Sequence, residues 1–296
     1  MTIRTRRFTP PSEPIPTGLG GRIRFRSLRA AGVALAAVTA VLSTTALTPS
    51  TPAQADAAQE QAQSRPTAVW PTAKRTEKVA KTKPVSGTKN FDFTRFVGTG
   101  ALGGGGQGEG QDPILELADG TTVSNVIIGS PAADGIHCRG TCTLKNVWWE
   151  DVGEDAATFK GTRANQTMTI DGGGARKAAD KVFQHNGPGT FVIRNFEVSG
   201  FGKLYRSCGV CRTQYTRHVV VDNVTVRAPG VDVVGINATP YGDTARLSRI
   251  TVLGDSARKI VICQKFRGTT SGEPAKTGSG PDGRNCVYRS TDVTYR

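Results

Sequence analysis

The sequence predicts an all-β fold, a single-domain parallel β-helix whose coils are about 25 residues long. Three observations carry that expectation. Short apolar runs recur around one polar hinge residue. Glycine makes up 36 of 296 residues, about 12 % against a usual ~7 %. The back of the chain keeps no helical periodicity, and an apolar share of 37 % is too low for a helix bundle.

In chain order, the first element is a leader. A basic stretch with Arg22, Arg24, Arg26 and Arg29 precedes an apolar run from Ala30 to Leu47 and a small-x-small site at Ala53-Gln54-Ala55. This pattern reads as a secretory signal peptide over residues 1–55, so the mature chain is expected to be secreted and extracellular, with no membrane association after cleavage. A transmembrane anchor fits less well, because Ser43, Thr44 and Thr45 dilute the run and Pro-rich sequence follows it. Residues 56–87, rich in Ala, Gln, Thr, Lys and Pro, show neither a period of 2 nor one of 3.6 and read as a flexible basic linker. Its lysines, Lys74, Lys78, Lys81 and Lys83, with Lys89 just beyond, suit a solvated tether or adhesion to an anionic matrix.

These segments also carry most of the charge. Seven Arg and one Glu lie in residues 1–55, so the formal +14 falls to +8 in the mature chain, of which a net +4 belongs to residues 56–90. No basic run interleaved with aromatics remains, and no helix-turn-helix or zinc-finger spacing is present, which excludes nucleic acid as the expected partner. An acidic extracellular ligand fits better.

The repeats fill residues 88–296. Val123-Ser-Asn-Val-Ile-Ile, Leu144-Lys-Asn-Val-Trp-Trp, Ile193-Arg-Asn-Phe-Glu-Val and Val221-Asp-Asn-Val-Thr-Val share one register, and looser runs at Met168 and Leu247 fill the gaps. The hinge falls at positions 125, 146, 171, 195, 223 and 249, a period of roughly 25 residues. A strand-rich unit of that length suits a β-helix coil. Leucine-rich repeats need a Leu lattice that is missing. A β-sandwich would bring a new strand after about 8–12 residues, with no Asn recurring at one register.

In such a solenoid, residues one repeat apart become neighbours about 4.8 Å apart. Asp134 and Glu154, Asp155 and Lys181, and Lys181 and Arg206 are each separated by one such repeat, which places two acidic and two basic positions in one column. Asp134, Glu154 and Asp155, without nearby Cys or clustered His, suggest a hard oxygen-seeking ion, Ca²⁺ rather than Zn²⁺. Lys181 and Arg206 would then sit beside an anion that the metal also holds.

Four segments carry a resemblance: Ala133-Asp-Gly-Ile-His-Cys138, Asn146-Val-Trp-Trp-Glu-Asp-Val-Gly-Glu-Asp-Ala156, Asp180-Lys-Val-Phe-Gln-His-Asn-Gly187 and Phe201-Gly-Lys-Leu-Tyr-Arg-Ser-Cys-Gly209. Together they resemble the secreted bacterial pectate lyases of polysaccharide lyase family 3, over about residues 88–296. The resemblance implies a right-handed parallel β-helix that cleaves polygalacturonate, the de-esterified backbone of pectin, by Ca²⁺-dependent β-elimination as a monomer. It implies Asp134, Glu154 and Asp155 as calcium ligands, Lys181 and Arg206 as the catalytic pair, and Lys203, Glu109 and Asp180 as substrate-binding residues. Between the pair, Lys181 is the favoured base, on the expectation that Ca²⁺ and Arg206 depress its pKa; Arg206 is the alternative.

Two other function classes fit less well. A polygalacturonan hydrolase would need an acid paired with a carboxylate base or nucleophile rather than a Lys and an Arg. A non-catalytic pectin-binding β-helix would need no metal-centred acid cluster.

The remaining conspicuous residues read as scaffold. Gly103–Gly106 lack the Gly-Lys-Ser/Thr of a phosphate loop and form an exposed turn. Trp148 and Trp149 alternate across a strand, one in the core and the other free to stack on sugar. His137 and His185 read as hydrogen-bonded scaffold. Six cysteines, none before Cys138, allow 15 pairings; the expected set is Cys138–Cys142, Cys208–Cys211 and Cys263–Cys286.

Overall fold

The computed structural model describes residues 69–296, so the expected signal peptide and the first part of the expected linker lie outside the described residues. The described chain winds as a parallel β-helix in which each coil contributes strand segments to three faces. On the first face, residues 121–124, 142–145, 167–171, 189–194, 217–222 and 244–248 stack in parallel register. The second face runs from Arg75–Val79 through 94–98, 126–128, 147–149 and 173–178 to 250–252. The third runs from Lys83–Val85 through Leu115–Leu117, Ile136–Cys138, Ala157–Phe159, 181–185 and 203–206 to 261–265. One pairing is antiparallel: Ala275–Ser279 folds back on Val261–Arg267.

Arg75–Val79 and Lys83–Val85 correct the linker expectation for residues 56–87. They pair with residues 94–98 and with Leu115–Leu117 and so form the first coil. Their sequences, RTEKV and KPV, carry one buried apolar anchor each, Val79 and Val85, too few to produce an alternation. Lys74 and Lys83 pair with Asp92 and Glu77, at 2.5 and 2.6 Å.

The coil length follows from the register. Val123, Leu144, Ile170, Ile193, Val221 and Leu247 stack one on the next, so the period read from the hinges is the length of one turn of the solenoid. All six are buried, each against its own counterpart, so the interior is a set of apolar ladders. Aromatics thicken it: Trp149 and Phe196 meet the Phe183 ring at 5.7 and 5.3 Å.

Between the first and second faces the chain turns on one residue. Asn125, Asn146, Asn195, Asn223 and Arg249 all have φ between 53° and 56°, the left-handed region that Asn tolerates better than most side chains. Their amides form a ladder: Asn146 Nδ2 donates to Asn125 Oδ1 at 2.7 Å, and Asn223 Nδ2 to Asn195 Oδ1 at 2.5 Å. In the remaining coil the turn falls on Gly172, at φ 78°, and not on Asp171, whose Oδ1 still accepts from Asn195 Nδ2 at 2.8 Å. The three expected disulfides are present.

Candidate active site

The corner between the second and third faces varies from coil to coil, and two successive corners supply the acids. Asp134 lies just before Ile136–Cys138, and Glu154 and Asp155 lie just before Ala157–Phe159. Glycine lets the two corners touch. A Cβ on Gly135, which has φ 51°, would stand 2.1 Å from Ala156 O, and one on Gly153 would stand 2.1 Å from Ala133 O. With that clearance Glu154 N donates to Ala133 O at 2.9 Å and Ile136 N to Ala156 O at 3.0 Å. The three carboxylates end with one oxygen each, all within 4.8 Å of one another, and all three residues are buried.

Burial raises the pKa of all three. Asp134 is pushed up to about 6, with Glu154 and the nearby Lys160 and Lys181 opposing burial. Glu154 and Asp155 move up as well, through burial and, against the pull of Lys181, the charge of Asp134 on both and of Glu154 on Asp155. His137 Nε2 lies 2.6 Å from Asp134 Oδ2; burial, then Lys160 and Arg139, lower its pKa to about 3, so the imidazole is neutral. Thr158 Oγ1 donates to Asp155 Oδ2 at 3.2 Å. Asp134 Oδ1 and Asp155 Oδ1 are buried and accept no hydrogen bond. Asp155 Oδ1 has only the Lys181 ammonium at 3.7 Å, beyond hydrogen-bond reach, and buried carboxylate oxygens so poorly met are costly. That donor set fits a hard divalent cation.

A cleft of about 750 Å³ opens along the third face beside these acids, lined among others by Glu109, Asp180, Lys181, Lys203 and Arg206. Lys181 Nζ donates to Glu154 at 3.1 Å and to Asp180 at 3.1 Å and stands 3.7 Å from Asp155. Lys203 Nζ takes the other Asp180 oxygen at 2.6 Å. Burial pushes the Asp180 pKa upward, but Lys203 and Lys181 outweigh it and hold the group below the ordinary aspartate value. The loop bearing Glu109 lies over the acid corner, tied by Gln107 Nε2 to Gly153 O at 2.7 Å and by Ala133 N to Gly104 O at 2.9 Å.

Comparison with known proteins decides the family. Residues 67–273 match the pectate lyase family. A probable pectate lyase E from Neosartorya fischeri is 41 % identical over 221 residues, which are 74 % of this chain and 84 % of that one. The chain belongs to the pectate lyase family. Pectate lyase H from Emericella nidulans is 46 % identical over 187 residues, 62 % of this chain and 69 % of that one. The catalytic domain of pectate lyase PelI from Erwinia chrysanthemi superposes with a TM-score of 0.63 at 33 % identity, over 75 % of this chain and all of that one. A structure of PelI in complex with tetragalacturonic acid matches 74 % of this chain and 70 % of that one, with a TM-score of 0.62 at 34 % identity. The narrowing to bacterial members is not supported, since the likeness extends to fungal relatives, here more identical than PelI from Erwinia chrysanthemi.

The pectate lyase places its two basic candidates differently from the expected column. Lys181 pairs with Lys203, and it is Gln184 that pairs with Arg206. The local coil is therefore shorter than the step from Lys181 to Arg206, and Arg206 lies further along its strand, beyond the rung that Lys181 occupies. Their electrostatics differ too. Burial acts against the Lys181 charge, but the Asp155, Glu154 and Asp180 carboxylates outweigh burial and hold its pKa above the ordinary lysine value, whereas the expected depression was assigned to Ca²⁺ and Arg206. Arg206 is lowered to about 10, chiefly by burial, with Asp243 opposing.

The lyase positions Arg206 with residues that sequence reasoning missed. Its Nη1 donates to Ser207 O at 2.6 Å and to Asn237 Oδ1 at 2.9 Å, and its guanidinium lies 4.0 Å from the Phe266 ring centroid. Asn237 and Phe266 belong to the next two coils, whose register no charge pattern betrayed. Trp148 is not available to sugar: its ring meets Trp70 at 4.9 Å and its Nε1 donates to Asn146 Oδ1 at 2.7 Å.

Proposed function

We propose that this enzyme is a secreted, monomeric lyase that cleaves polygalacturonate by Ca²⁺-dependent β-elimination, with Arg206 as the base. The observation that carries the reading is the pair of buried carboxylate oxygens on Asp134 and Asp155 that accept no hydrogen bond, beside a cleft lined by Lys181, Lys203 and Arg206. Asp134, Glu154 and Asp155 would hold the ion. When bound, Ca²⁺ supplies charge neutralisation at the uronate carboxylate and so acidifies the neighbouring C5 proton. Lys181 and Lys203 add fixed positive charge for the same carboxylates, and Asp180 keeps both ammonium groups in place. Glu109 lines the same cleft.

Arg206 suits proton removal because its hydrogen bonds go to neutral oxygens and burial disfavours its charge, whereas Lys181 keeps an ion pair with Asp180, a carboxylate outside the proposed ion ligands. The neutral guanidine takes the C5 proton. The C5–H electron pair becomes the C4=C5 double bond, the C4–O glycosidic bond breaks, and the departing oxygen takes a proton from water. Three disulfides agree with an oxidising extracellular setting, and no helix among the described residues is long and apolar enough to cross a membrane. Protein from culture medium should begin near Asp56 and hold no free thiol.

The test is ultraviolet absorbance of the unsaturated product from polygalacturonate. It should appear with Ca²⁺, vanish with excess chelator, return on Ca²⁺ addition and not be restored well by Zn²⁺. Full turnover in chelator would end the calcium reading, and new reducing ends without ultraviolet absorbance would replace elimination by hydrolysis.

A further inference from the structure

Asp232 lies in the same cleft and takes no part in the mechanism above. It is 1 % exposed, lines the cleft, and both of its carboxylate oxygens are buried without a hydrogen-bond partner. Its position is set by the coil: Lys181 pairs with Lys203 and Lys203 with Asp232, so Asp232 stands two rungs, roughly 10 Å, from Lys181 along the cleft. A buried carboxylate with both oxygens unpaired costs stability, and a structural residue would have been given a partner by the surrounding backbone, as Asp255 and Asp282 are. The missing partner is therefore sought in what fills the cleft.

Charge narrows the choice. The ionised groups that act on Asp232 are Lys276, Lys203 and Arg206, all cationic, which makes the place unfavourable for a second metal ion. A substrate carboxylate would be repelled by Asp232 itself. What remains is a neutral donor, and two unfilled acceptor oxygens on one planar group match two adjacent hydroxyls. Hydroxyl-to-carboxylate hydrogen bonds are also the stronger, charge-assisted kind.

We propose that Asp232 receives the vicinal 2,3-hydroxyl pair of a galacturonosyl unit bound next to the cleaved bond, and so makes the cleft selective for chain that is not O-acylated at those positions. This rests on the polygalacturonate reading above. An acyl group at O2 or O3 removes one donor and adds bulk against a fully buried acceptor.

The experiment compares the full-length mature enzyme with Asp232→Asn and Asp232→Ala on two substrates of matched chain length, polygalacturonate and the same polymer 2/3-O-acetylated. On the unmodified polymer the variants should lose 10- to 100-fold in kcat/KM, mainly through KM. Acetylation should cost the wild type a comparable factor and the variants much less, because the contact is already gone. The Tm of the substrate-free Asp232→Asn protein should stay level or rise, since an unpaired buried charge has been removed. An acetylation penalty equal in wild type and variants overturns the proposal, as does a variant whose KM is unchanged. A lower Tm for Asp232→Asn likewise overturns it, because it assigns Asp232 to the scaffold. If wild type gives no unsaturated product from polygalacturonate, the parent reading has failed instead.

Discussion

Two of the three corners that each coil turns are opposite in character. At the first, one residue in the left-handed region reverses the chain, and its amide is bonded to the corner above or below, as in Asn146 to Asn125. At the second, lengths vary, backbones touch at Gly135 and Gly153, and Asp134 and Asp155 keep buried oxygens that accept no hydrogen bond. One corner satisfies its own polar groups and repeats. The other leaves polar groups without hydrogen bonds beside a cleft, and that deficit is what the proposed ion site rests on.

The contrast can be broken at four places. The largest effect is expected at Arg206: Arg206→Ala should lower kcat by about 10²–10⁴, the usual worth of a positioned base. Wild-type kcat/KM should climb with pH as Arg206 loses its proton, levelling near its value of about 10. Arg206→Lys should keep partial turnover and move that limb to lower pH. An unmoved limb returns the base to Lys181.

Next is Gly135→Ala. It adds a Cβ 2.1 Å from Ala156 O at a residue with φ 51°, which should cost about 3 kcal/mol or more and separate the acids. Thermal unfolding and calcium titration read both effects. A Tm near wild type would mean that the corners are not held by contact.

Metal removal comes third. An acid whose folded pKa lies above its unfolded value contributes stability that is complete at low pH and lost as pH rises through the folded value. Asp134, raised from 3.8 to about 6, should therefore make chelated protein less stable from about pH 4 to above pH 6, by up to ~3 kcal/mol, and Ca²⁺ should restore the loss. Denaturant midpoints with and without chelator measure it; identical curves would remove the cation from this corner.

The smallest effect belongs to the regular corner. Asn146→Ala loses the bond to Asn125 and the acceptor for Trp148 Nε1, which should cost about 1–2 kcal/mol in stability. Turnover should change less than twofold. A large loss of activity would show that the two corners are not independent.

Much of this was legible in the chain. A ladder of like residues writes itself into sequence as a period, so Val123, Leu144, Ile193 and Val221 disclosed the solenoid, and Asn125, Asn146, Asn195 and Asn223 disclosed its regular corner. The acids were also within reach, since Asp134 and the adjacent pair Glu154 and Asp155 lie about one repeat apart. Period alone, however, fixes neighbours only loosely. It missed the first coil at Arg75–Val79, and it aligned Lys181 with Arg206 where the backbone aligns it with Lys203.

The apolar ladders, the left-handed asparagines, the disulfides and the identity of the acids were set by residue type and spacing, because each depends on repetition or close neighbours. The pairing of Lys181 with Lys203, the raised Lys181, the lowered Arg206 and the orphaned Asp232 were decided only when the coils closed. Burial and charge act across space between residues a full coil apart in the chain. That coil is not of fixed length, since Asn125 and Asn146 are separated by 21 positions and Asn195 and Asn223 by 28, so which side chains meet stays open until the hydrogen bonds between coils form.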